Sequence, residues 1–282
     1  MNRLKIPALL CALLLCLSLA GCQLIHAETP PNSAGASGVQ ATPAISKVSE
    51  SFAAAQPIYD RLIVIVDENA ADEESDPEEE PDLDEAEAAI KELNDMVGTL
   101  NGLISDLVGL PDGTDTSEGK TVLAAREYLG MLRDMAGDIA ELEQYALDFY
   151  KALLPMMEQD DVDDFKDFAE QLFYAIDDAQ ALLAQITPPT YIANSHADVV
   201  KRLDEFQDFS EDFWLAAALE DPLRTYSCMY RMNRITIMFD RCDENLQKDL
   251  DLQTTQAERR MKGPIAKLHD ELARNLSLLG AS

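Results

Sequence analysis

The chain has 282 residues, 53 of them Asp or Glu and 22 Lys or Arg, for a formal net charge of −31 at neutral pH. Such acidity disfavours nucleic acid and anionic lipid surfaces as partners, and leaves cationic ligands, divalent cations and other proteins open. Acidic surfaces with little lysine also serve solubility at high salt, so charge alone names no partner.

Residues 1–21 carry Arg3 and Lys5, an apolar run over residues 6–17, and small residues just before Cys22. That run is too short to cross a bilayer and has the form of an export signal. Leu19-Ala20-Gly21-Cys22 resembles the lipobox of bacterial lipoproteins. The resemblance implies cleavage before Cys22, fatty acylation of its thiol, and an address at the cell membrane, lipid-anchored and facing outside the cytoplasm. A diacylated cysteine is a sufficient anchor by itself. Loss of Arg3 and Lys5 would leave 20 basic against 53 acidic residues, a net charge of −33.

Residues 22–43 are rich in Pro, Ser, Ala and Gly and read as a flexible tether. Ile45, Val48, Phe52, Ala55, Tyr59, Leu62 and Val66 then recur at steps of three and four, which predicts a short helical segment over residues 44–66, interrupted at Pro57. The β-branched run at 62–66 would equally suit a strand, but no partner strand is evident. Residues 67–83 contain no Lys or Arg and form an acidic linker, whose like charges resist packing.

A helical bundle is predicted over residues 84–280. Ala86, Ile90, Leu93, Val97, Leu100, Ile104 and Leu107 line one helix face, and Gly109, Pro111 and Gly113 stop it. A second long helix starts near Ser117 and is expected to end at Pro155. A third carries Val162, Phe165, Ala169, Leu172, Ile176, Ala179, Leu183 and Ile186, with Asp161 as N-cap. Thr187-Pro188-Pro189 introduces a fourth, whose seam runs through Ile192, His196, Val199, Leu203, Phe206, Ser210, Phe213 and Ala217. Asp221-Pro222 starts a fifth that runs to about Leu250, and a last helix around residues 264–278 presents Ile265, Leu268, Leu272 and Leu276. The expected fold class is all-α: an antiparallel bundle of five or six long helices, joined by short turns around one shared core. Ile186-Thr187-Pro188-Pro189 followed by His196 also resembles patterns in uncharacterised helical envelope lipoproteins, a likeness that implies no activity.

Catalytic chemistry finds no constellation. A dinuclear metal centre in a bundle needs Glu-x-x-His pairs, but Ala193 and Ala266 stand three residues before His196 and His269. Ser195, His196 and Asp198 are neighbours on one helix and cannot converge as a triad. The acids at 160–164 and at Asp112, Asp115 and Glu118 do not follow the order of a calcium loop, and acids are favoured at helix N-termini in any case. Cys228 and Cys242, fourteen residues apart on one predicted helix, are too far apart to bridge. No catalytic, cofactor or metal residue is therefore expected. Arg224, Arg231, Arg234 and Arg241 fall within an arc of about 100° on the fifth helix, a candidate anion-binding stripe. That helix is apolar all round and is expected to be central in the bundle. The expected role is that of a membrane-anchored, non-enzymatic interaction or structural module of the envelope. The alternative is a binding module for a small anion, through the arginines, or for divalent cations.

Overall fold

The computed structural model describes residues 41–71, 82–157 and 164–281, and among these it is all-α. Its elements are α1 (Pro43–Ala71), α2 (Leu83–Asp106), α3 (Ser117–Met157), α4 (Phe165–Leu183), α5 (Ala193–Ala218), α6 (Pro222–Arg260) and α7 (Ala266–Leu278). A π-helical turn, Met261–Ile265, joins α6 to α7 without a break. Cys22, the tether and most of the acidic linker lie outside the described residues.

Most starts follow the side-chain capping rule, in which an oxygen satisfies amides that the first turn leaves orphaned. Thr42 Oγ1 accepts from the Ile45 amide ahead of α1, and Asp82 accepts from the Asp84 and Glu85 amides ahead of α2. Thr116 does the same for α3 through Gly119. Asp221 accepts from the Leu223 and Arg224 amides, with Pro222 in the first turn of α6. For α4 the cap is Asp164, whose side chain accepts from the Lys166 amide at 2.7 Å. Asp161, the expected cap, lies outside the described residues, and the helix begins three residues later than its apolar spacing suggests.

Two prolines expected to break helices do not. Pro57 sits inside α1, where the carbonyl it orphans belongs to Ala53; both residues are exposed, so water takes the missing partner's place. Ala55, Ile58 and Leu62 on the opposite face are buried and hold the helix through the defect. Pro155 lies in the last turn of α3, which continues to Met157 with Leu153 and Met156 buried. The stretch 251–260, expected to separate two helices, is helical as well. Pro264 falls in the π turn, where the ladder already departs from the α pattern and a missing N–H disturbs least.

The buried side chains form two clusters rather than one shared core. One unit takes the described residues of Asp72–Glu87 and Glu141–Gln253; the other takes those of Leu19–Ala71, Ala88–Ala140 and Thr254–Ser282. Each is built chiefly from four helical stretches.

In the first unit, the end of α3, α4, α5 and most of α6 surround Phe149, Leu172, Ile176, Leu203, Phe209 and Leu246. Phe165 meets Phe213 and Gln180 meets Asp204, so α4 and α5 are antiparallel. Ser195 meets Asp249, Phe206 meets Phe239 and Asp212 meets Arg224, so α5 and α6 are antiparallel too.

In the second unit, α1, most of α2, the start of α3 and the end of α6 with α7 surround Leu62, Leu100, Tyr128, Leu132, Ile265 and Leu272. Lys47 with Asp106 and Arg61 with Glu92 set α1 antiparallel to α2. Arg126 clamps the end of α2, donating to the Leu107 carbonyl and to Asp112. The 44–66 segment thus belongs to a helix packed into this core: Ile45, Val48, Leu62 and Val66 are all buried.

Candidate functional site

The arginines expected to form one stripe divide into two pairs. Arg224 and Arg231 turn towards α5 and both bind the carboxylate of Asp212, Arg224 at 3.3 Å. Arg231 also lies over the ring of Phe209, 5.8 Å from its centroid. The hydrogen bond from Arg231, reinforced by the charge of both guanidinium groups, holds Asp212 below the usual carboxylate range. Arg234 and Arg241, two helical turns apart, are exposed and have no ion-pair partner among the described residues. The four side chains therefore do not converge on one pocket.

Arg234 and Arg241 flank a second feature of α6. The helix buries Cys228, Cys242 and Leu246 against the first unit's core, with Ile235 and Phe239 partly covered beside them. On the opposite side Leu223 is 83% exposed, Tyr226 76%, Tyr230 78% and Ile237 54%. These four follow three-, four- and seven-residue steps, the spacing of a seam that would meet another helix. Leu219, at the corner between α5 and α6, extends it, and the half-exposed Phe165 ring lies in the adjoining groove with Ala217, Thr225 and Tyr226. The helix expected to be central is thus buried on one side only. Its all-round apolarity divides into an inner and an outer seam, a division that the 3.6-residue period would have revealed had each stripe been traced separately.

His196 occupies the core position its seam suggested. Its Nδ1 lies 3.2 Å from the Tyr145 hydroxyl, and the rings of Tyr145 and Phe149 stand edge-on to it. Burial lowers the imidazole pKa and raises that of the phenol, so two neutral groups share this hydrogen bond. Ser195 points elsewhere and donates to Asp249 on α6. Asp112 is bound by Arg126, and Glu118 accepts from Thr42. No group of three or more His, Cys, Asp or Glu residues with metal-site geometry occurs among the described residues. Cys228 and Cys242 are both free and buried, and burial pushes both thiols up. No described helix is long and apolar enough to cross a membrane.

No known protein family matches the chain, no curated protein resembles it in sequence, and no solved structure resembles it in fold.

Proposed function

We propose that the chain is a lipid-anchored protein of the bacterial cell envelope, held outside the cytoplasm by an acylated Cys22, and that its helical body works by contact with another protein rather than by catalysis. The observation that carries the contact reading is the outer seam of α6. Leu223, Tyr226 and Tyr230 are each more than three-quarters exposed on one helix face. Contiguous apolar and aromatic surface of this kind, rimmed by arginine, has the composition of an interface core. The anchor reading rests on the lipobox at residues 19–22.

Two experiments test these two parts. Metabolic labelling with a palmitate analogue should mark the wild-type chain and leave Cys22→Ala unlabelled and absent from membranes. A Cys22→Ala chain that stayed in membranes at the processed mass would sink the anchor. A photo-reactive residue at position 226 should cross-link to protein in intact envelopes, and silence there would sink the contact reading.

A second reading, capture of a small anion, is favoured by the exposure of Arg234 and Arg241 without a carboxylate partner among the described residues. It predicts a thermal shift of the purified chain with dicarboxylates or phosphate that disappears in Arg234→Ala/Arg241→Ala.

A further inference from the structure

We infer that the outer seam of α6 pairs with the same seam of a second copy of this chain, the two helices running antiparallel across a two-fold axis near Tyr230. The inference rests on the contact reading above and names its partner.

Three properties of the seam point to a copy of itself. The first is area. Leu219, Leu223, Tyr226, Tyr230 and Ile237 are each more than half exposed and together expose roughly 700 Å², the larger part of what each partner contributes to an interface of standard size.

The second is local charge. Residues 222–242 hold four arginines and a single acid, Asp240, in a chain of net charge −31. Arg224 and Arg231 are held by Asp212, so the basic character beside the seam comes from Arg234 and Arg241. The overall negative charge is screened beyond about 10 Å in ordinary salt. Attraction at the seam is therefore decided by the groups that border it.

The third is polarity along the seam. Its N-terminal end carries Glu220 and Asp221 at the α5–α6 corner, and its C-terminal half carries Arg234 and Arg241 against one acid, Asp240. Asp221 spends its carboxylate on capping α6, which leaves Glu220 exposed. A parallel pair would set arginine beside arginine. An antiparallel pair sets Arg241 of each copy beside Glu220 of the other and Ile237 against the Leu223–Tyr226 end, while the Tyr230 rings meet near the axis. A two-fold contact needs one patch to complement itself in this way.

The experiment uses the full chain, detergent-solubilised from its native membrane, with mass measured by light scattering across a concentration series. The expected result is a dimer. Tyr230→Asp should weaken association at least about tenfold, as expected for an aromatic at the centre of an interface. Arg241→Glu and Glu220→Arg should each weaken it, and the double swap should restore it to within about threefold, an outcome particular to antiparallel pairing. Circular dichroism of each variant checks that it folds; all three positions are exposed. A chain that stays monomeric at about 100 μM, or a double swap no tighter than the single swaps, overturns the inference. A monomer that still cross-links from position 226 to a different protein overturns self-pairing and keeps the contact reading. A monomer that cross-links to nothing overturns both.

Discussion

His196 shows what one buried residue does to the pH response of the fold. Its pKa is lowered by burial, so the folded state binds its proton later than the unfolded chain does. Stability from this site is therefore complete above the unfolded value of about 6.5 and declines as pH falls below it, towards the folded pKa. Thermal melts between pH 7.5 and 5 should show that decline in wild type and a smaller one in His196→Gln, whose amide can either donate to or accept from Tyr145. Equal slopes in the two proteins would contradict the account. Asp212 is depressed, chiefly by its hydrogen bond from Arg231, so its contribution is present above the ordinary carboxylate range and lost as pH falls through the folded value. Asp212→Asn should cost about 0.5 kcal/mol at neutral pH, because the pair is two-fifths exposed, and nothing in strong acid. At this scale the sequence was legible where a residue sat on a regular seam, as His196 does. It was opaque where the partner comes from a distant stretch, as Asp212 does for Arg224 and Arg231, because spacing along one helix carries no information about which acids a neighbouring helix turns towards it.

Helix boundaries depended on how much burial opposed each local break. Gly109, at φ +85°, and the Pro188-Pro189 pair lie beyond helix ends, α2 stopping at Asp106 and α4 at Leu183, so neither has to interrupt a helix. Pro57 lies inside α1 without ending it, because Ala55, Ile58 and Leu62 are buried on the face away from it. Pro57→Ala should restore one backbone hydrogen bond and raise the midpoint of thermal unfolding, by up to about 3 kcal/mol in stability. An unchanged or lowered midpoint would mean that the proline's restriction of the unfolded chain outweighs the lost bond. The α5–α6 corner offers the converse case. Glu220 adopts φ 52°, a conformation that favours glycine, so Glu220→Gly should stabilise the fold by about 0.5–1 kcal/mol, read from urea unfolding. The same change removes a carboxylate that self-pairing uses, so it should stabilise the fold and loosen the dimer together.

For the molecule as a whole, composition was a good guide to class and a poor one to arrangement. Three-four periodicity from residue 45 onward announced an all-α fold, and the seams of α2 and α5 are buried nearly as read. Periodicity cannot say how many cores the seams share, since every amphipathic helix presents the same signal whichever cluster it joins. The division into two clusters depends on long helices such as α3, whose Tyr128 and Leu132 lie in one core and Phe149 and Leu153 in the other. Net charge has a consequence at the same scale. With −31 on 282 residues, self-repulsion opposes the compact state, and salt that screens it should raise the unfolding temperature of the full chain between about 0.01 and 0.3 M NaCl. A fall over that range would mean that screened ion pairs such as Arg61–Glu92 outweigh the repulsion.

The π turn at Met261–Ile265 bears on how this chain should be compared with others. A π turn takes up one residue more than an α turn, yet Ala257, Met261, Ile265, Leu268, Leu272 and Leu276 keep three- and four-residue steps straight through it and pack into one core. An ungapped alignment to a straight-helix relative that is correct along the end of α6 therefore keeps Leu272 and Leu276 on the buried face. Kinship is better sought without a gap between Arg260 and Ala266, since the apolar stripe runs through the π turn in register.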